Sequence, residues 1–160
     1  MDIKSFVKDE NEKPLDRIIE GGGLCSILRT VVCIGDSLSS GEFEVFHKDG
    51  TRKWYDMFEY SWGQFMSRMA GIKVYNYSRG GMTASEYCQS FADQKGFWNE
   101  DVKANAYIIA LAVNDISVGI EIGDIADIDV NNCENNKKTF IGYYAKIIQR
   151  YKAISPDAKF

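Results

Sequence analysis

The sequence predicts an α/β fold, a parallel sheet covered by helices on both faces. Three observations carry this. Residues 30–34 (T-V-V-C-I) and 106–113 (A-Y-I-I-A-L-A-V) are unbroken apolar runs of strand length, as strands buried on both faces require. Residues 72–77 alternate as a further strand. Apolar residues recur at helical spacing between and after these runs, so strands and helices alternate along the chain. A length of 160 residues, 45% hydrophobic and 26% charged, suits one globular domain.

Each element has a local reason. Residues 1–29 are polar and glycine-interrupted and read as an N-terminal arm, with Gly21-Gly22-Gly23 outside any regular element; residues 30–160 form the domain. Gly35 stops the first strand. Residues 43–46 and 51–55 flank Lys48-Asp49-Gly50, whose Asp-Gly pair suits a hairpin turn. Phe58, Trp62, Phe65, Met66 and Met69 recur at helical spacing, and Gly71 is placed to cap that helix. Phe58 and Trp62 are expected in its core-facing stripe; the competing reading groups them with Trp54, Tyr55 and Tyr60 as rings that stack on sugars. A helix is expected over 83–93. The last one carries Phe140, Tyr144, Ile147, Ile148 and Tyr151 on one face and ends before Pro156.

Composition excludes several function classes. With 23 acidic against 19 basic side chains and a formal charge of −4, there is no electrostatic footprint for nucleic acid. No apolar run is long enough to span a bilayer, and the charged N-terminus is unlike a signal peptide, so a cytoplasmic location is expected. Cys25, Cys33, Cys88 and Cys133 are widely separated and His47 is the only histidine, which argues against zinc; free thiols are expected, with Cys33 a small buried hydrophobe. Asp124, Asp127 and Asp129 lack the spacing of a calcium loop and read as a solvated loop, and the asparagine-rich stretch 131–136 reads as a loop before the last helix. The Gly80-Gly81 turn lacks the lysine of a phosphate-binding loop. No metal or other cofactor is expected.

In a parallel sheet the ligand site lies beyond the carboxyl ends of the strands. Those ends are Gly35-Asp36-Ser37, Asn76 to Thr83, and Ala112-Val113-Asn114-Asp115. Ser37 can project a hydroxyl at a helix start, with its own N–H aimed at a carbonyl oxygen. Gly81 can offer a second N–H and Asn114 a side-chain amide. Three convergent donors make an oxyanion hole. The plainer alternative makes Ser37 and Asn114 helix N-caps.

V-V-C-I-G-D-S-L-S resembles the first block of the GDSL, or SGNH, family of serine esterases and lipases. N-Y-S-R-G-G-M-T-A is similar to the second block and A-V-N-D to the third, in family order over 31–115. The resemblance implies a three-layer α/β/α, flavodoxin-like parallel sheet, with Ser37 as nucleophile and Gly81 and Asn114 in the oxyanion hole. Glycine-x-threonine spacing favours Gly81 over Gly80, and Asp36 and Asp115 are expected to support the loops. Ala112 departs from the family's usual glycine. The larger departure is that the D-x-x-H element bearing the general base has no counterpart. His47 is expected to be a surface residue of the hairpin. Residues 155–160 read as the lead-in to a fourth strand, so the fold is expected to be truncated before the fourth and fifth strands, leaving 106–113 as a sheet edge. The implied activity is hydrolysis of carboxylic esters, small-molecule or carbohydrate, with acetyl groups on carbohydrate among the candidates. The alternative is a non-catalytic ligand-binding module on the same fold.

Overall fold

The computed structural model describes residues 23–160. In chain order the elements are β1 (Thr30–Gly35), α1 (Ser37–Ser40), β2 (Glu42–Phe46), β3 (Arg52–Asp56), α2 (Trp62–Ala70), β4 (Lys73–Asn76), a helical segment α3 over 84–94, β5 (Ala106–Ala110), α4 (Val113–Ser117) and α5 (Phe140–Ile154). Segment α3 widens to a π turn over Tyr87–Phe91. A three-stranded parallel sheet runs β4-β1-β5, and β2 and β3 form a separate antiparallel hairpin.

Strand β1 is central, with Cys33 opposite Asn76 on one side and Ile108 on the other. Its side chains alternate between two cores, as a strand's period of two dictates. Val32 and Ile34 pack with Met82, Tyr87, Tyr107 and Ile147 beneath α3 and α5. Val31 and Cys33 pack with Ile72, Met66 and Ala70 on the α2 side. The expected three layers are therefore present. Burial pushes the Cys33 thiol up to about 12, so it packs as a neutral, unreactive hydrophobe.

Helix α2 starts at Ser61, whose side chain accepts the Gln64 N–H, and ends at Gly71 in the left-handed region (φ 64°) with its N–H on the Ser67 carbonyl. The expected core stripe is wrong in part. Trp62 is 36% exposed and Phe65 59% exposed. Helical spacing was satisfied by two faces, and the small one won: Gly63 lies over β1, where an added Cβ would stand 3.0 Å from Cys33 Sγ. In α5 the buried tyrosine after Phe140 is Tyr143 rather than Tyr144, whose ring is half-buried and whose hydroxyl donates to the Ile109 carbonyl at 2.8 Å.

Other expectations need adjustment. Residues 1–22 of the expected arm lie outside the described residues, and Gly23 opens a 3-10 turn (Gly23–Ile27) rather than staying outside regular structure. The apolar run 106–113 is strand only to Ala110, since Val113 already begins α4. In the aspartate stretch Asp124 is exposed as expected, but Asp127 is not. Buried Asp127 pairs with Lys137 at 2.7 Å and accepts the Thr139 hydroxyl, while Asp129 accepts the N–H groups of Asn131 and Asn132. At the other end of the chain, Lys159 pairs in parallel with Ala106. No described helix is long and apolar enough to cross a membrane.

Gly63 gives a test of the close approach. Gly63→Val is expected to cost about 1–3 kcal/mol through overpacking against Cys33 and Phe58, read as a lowered midpoint of thermal unfolding.

Candidate active site

Three loops leave the same end of the parallel sheet. The first turns at Asp36, a buried residue whose Oδ1 accepts the Leu38 N–H at 3.1 Å and so caps α1. Ser37 is the first residue of α1 and is half-buried. Among the described residues neither its hydroxyl nor its backbone N–H has a hydrogen-bond partner. The turn is tight because Gly35 lacks a side chain: a Cβ there would overlap Ser39.

The second loop is fastened to the first by the Arg79 N–H on the Gly35 carbonyl at 3.2 Å, with Ser78 N–H held by Asn76 Oδ1 at 3.0 Å. Its two glycines differ. Gly80 donates its N–H to Asp56 and is packed so that a Cβ would overlap the Glu42 carboxylate. Gly81 sits in the left-handed region (φ 71°), faces open space, and its N–H has no acceptor among the described residues. Thr83 then caps α3, accepting the Glu86 N–H at 3.0 Å.

The third loop supplies Asn114. Its Nδ2 donates to the Met82 carbonyl at 3.1 Å and lies 3.4 Å from Asp36 Oδ2, so this one amide touches both other loops. Next to it Asp115, fully buried, accepts the N–H groups of Ala84 (2.9 Å) and Ser85 (3.4 Å). Neither Ser37 nor Asn114 is an N-cap: Asp36 and Ala112 occupy those positions. Ala112 has φ 163°, extended backbone that a methyl group tolerates.

The hairpin forms one wall. A cavity of about 600 Å³ is lined by Ser37, Leu38, Glu42, Phe43, Tyr60 and Trp62. Glu42 faces Asp56 across the hairpin, and partial burial together with the Asp56 and Asp36 charges holds its carboxyl above the usual range. His47 follows the far end of β2, about 15 Å from Glu42 at the rise of an extended strand. It lies in the hairpin as expected and is half-buried, with Nε2 out of solvent and without a partner among the described residues. Two site-side residues escaped sequence reasoning, Ser40 and Asp56. Their mutual contact spans sixteen positions, and no local motif marks it.

The model of the GDSL-like lipase/acylhydrolase family matches residues 31–159. The chain belongs to this family. It is a family of hydrolases, and the match takes in all three strand-end loops. Among solved structures, the GDSL-like chain is similar to a possible lipase from Chitinophaga pinensis DSM 2588, at 21% identity and a TM-score of 0.53 over 82% of this chain and 46% of that one. A second solved structure aligns at 22% identity and a TM-score of 0.54, over 81% of this chain and 53% of the other. The chain thus spans about half the length of both, and the likeness is one of fold. No curated protein matches it.

Two outcomes test the site's electrostatics and scaffolding. A carboxyl whose folded pKa is raised favours folding below its unfolded pKa and loses that contribution as pH rises through the folded value. Glu42→Gln is therefore expected to be more stable than the parent at pH 7, with the gap closing towards pH 4 in thermal melts. Asp115→Ala leaves two N–H groups of α3 unpaired and is expected to cost about 1–3 kcal/mol in denaturant unfolding.

Proposed function

We propose that this GDSL-like hydrolase cleaves carboxylic esters through an acyl-enzyme on Ser37. The observation that carries the reading is a pair of unengaged backbone donors, Ser37 N–H and Gly81 N–H, beside an Asn114 amide that bridges their loops. In this reading Ser37 Oγ attacks the ester carbonyl carbon and passes its proton to a general base. The carbonyl oxygen becomes an oxyanion held by the two N–H groups, and Asn114 Nδ2 joins them by turning its longer bond away from Asp36 Oδ2. Collapse of the tetrahedral intermediate expels the alcohol, and water then releases the acid. His47, the one histidine of the sequence, stands at the far end of the hairpin and is not assigned as that base.

The wall of the cavity supports a carbohydrate ester as substrate. Tyr60 is 80% exposed, and Phe43 and Trp62 present ring surface on the same side as Ser37. Exposed aromatic faces beside a polar cleft suit stacking on a sugar, with the acetyl group directed at the serine. The position of His47, away from Ser37, favours a second reading, a ligand-binding module that retains the cleft without turnover.

Fluorophosphonate labelling separates the two. Labelling is expected at Ser37, absent in Ser37→Ala and slowed about 10²–10³-fold in Asn114→Ala. An acetylated oligosaccharide that binds without labelling, equally well to Ser37→Ala, would decide for the binding module.

A further inference from the structure

We infer that Asp56 is a positioning residue that sets the spacing between the nucleophile helix and the oxyanion loop; this rests on the roles proposed for Ser37 and Gly81. Asp56 is the last residue of β3, and its carboxylate reaches two other segments. Oδ1 lies 2.5 Å from the Ser40 hydroxyl and 3.0 Å from the Gly80 nitrogen, and Oδ2 lies 3.2 Å from the same nitrogen. Ser40 is fully buried at the end of α1, three residues after Ser37. Gly80 directly precedes Gly81. One carboxylate thus joins the turn that presents Ser37 to the turn that presents the Gly81 N–H, although the two turns lie about forty residues apart in sequence.

The contacts around it leave few alternatives for those donors. The Ser40 hydroxyl also lies 3.2 Å from the Ser37 carbonyl, but its single proton goes to the nearer, charged oxygen. Among the described residues the Gly80 N–H has no acceptor other than Asp56, and Glu42 closes over Gly80 where a side chain would stand. The base of the hairpin is itself pinned beside these contacts by the Met57 N–H on the Gly41 carbonyl at 3.2 Å. An isolated two-stranded hairpin is marginal in water, so its attachment to the body matters for where Asp56 points. Remove the carboxylate and Gly80 is released, and with it the direction of the next N–H. A displacement of about 1 Å in such a donor is enough to lower a rate about 10²-fold.

The geometry distinguishes positioning from charge. Oδ1 accepts from both Ser40 and Gly80, so Asp56→Asn can keep those two bonds while losing the charge and the longer Gly80 contact at Oδ2. The test uses the full chain, with fluorophosphonate labelling of Ser37 and hydrogen exchange at the Gly80 and Gly81 amides. Asp56→Ala is expected to slow labelling about 10²-fold and to speed Gly80 exchange. Asp56→Asn is expected to stay within about fivefold of the parent in both. Parent-like labelling in Asp56→Ala overturns the inference, as does an asparagine variant that fails as badly as alanine. If the parent itself does not label, the esterase reading has failed separately, and exchange at Gly80 still decides: unchanged exchange in Asp56→Ala overturns the inference, and faster exchange that asparagine reverses sustains it.

Discussion

The structure depends on keeping water away from one strand. Residues 31–34 of β1 have no solvent exposure, so their backbone groups pair with strands on either edge and their side chains fill a core on each face. Such a strand has no free side on which to vary. Its carboxyl end is then held in place, and Gly35 and Asp36 turn out of a rigid centre rather than a mobile margin. The neighbouring strands pair with it in parallel, so their loops leave at the same end. The site is thus a consequence of the sheet's direction as much as of its side chains.

Between the loops, the scaffold relies on side chains satisfying backbone donors. Asp36 caps α1, Thr83 caps α3, and Asp115 takes two more N–H groups of α3 from another loop. Each such bond removes an orphan donor of a helix start while tying two segments together. The N–H groups of Ser37 and Gly81 have no acceptor among the described residues, and the start of α4, behind Ala112, has no side-chain cap.

Much of this was legible in the sequence. β-branched runs of strand length can hardly be read otherwise, and a glycine after an apolar periodic stretch marks a cap, as at Gly71. The three loop motifs stand at strand ends, where their residue types have few other uses. What could not be read was which of two apolar faces of α2 would turn inward. Trp62 and Phe65 outweigh Gly63 in any hydropathy pattern, yet the smaller residue allowed the closer approach to β1. Nor could Asp56 be found, because its partners come from segments that meet only after folding. One residue of the acidic loop was misread for a related reason: Asp127 reads as solvated until Lys137 and Thr139 fold back onto it.

The hairpin leaves the body at Gly41 and returns at Met57, and one hydrogen bond joins the two residues. Its entry and exit therefore coincide, and at its base Asp56 takes donors from Ser40 and Gly80 of the body. Strand β3 is exposed along its length, and the turn at 47–51 closes on its own hydrogen bonds. Lengthening or shortening the outer part changes the closure entropy only slightly. In evolutionary terms this is an exchangeable module: a lineage can alter the wall beside the serine, and so what the cleft admits, while leaving the sheet and its three loops untouched.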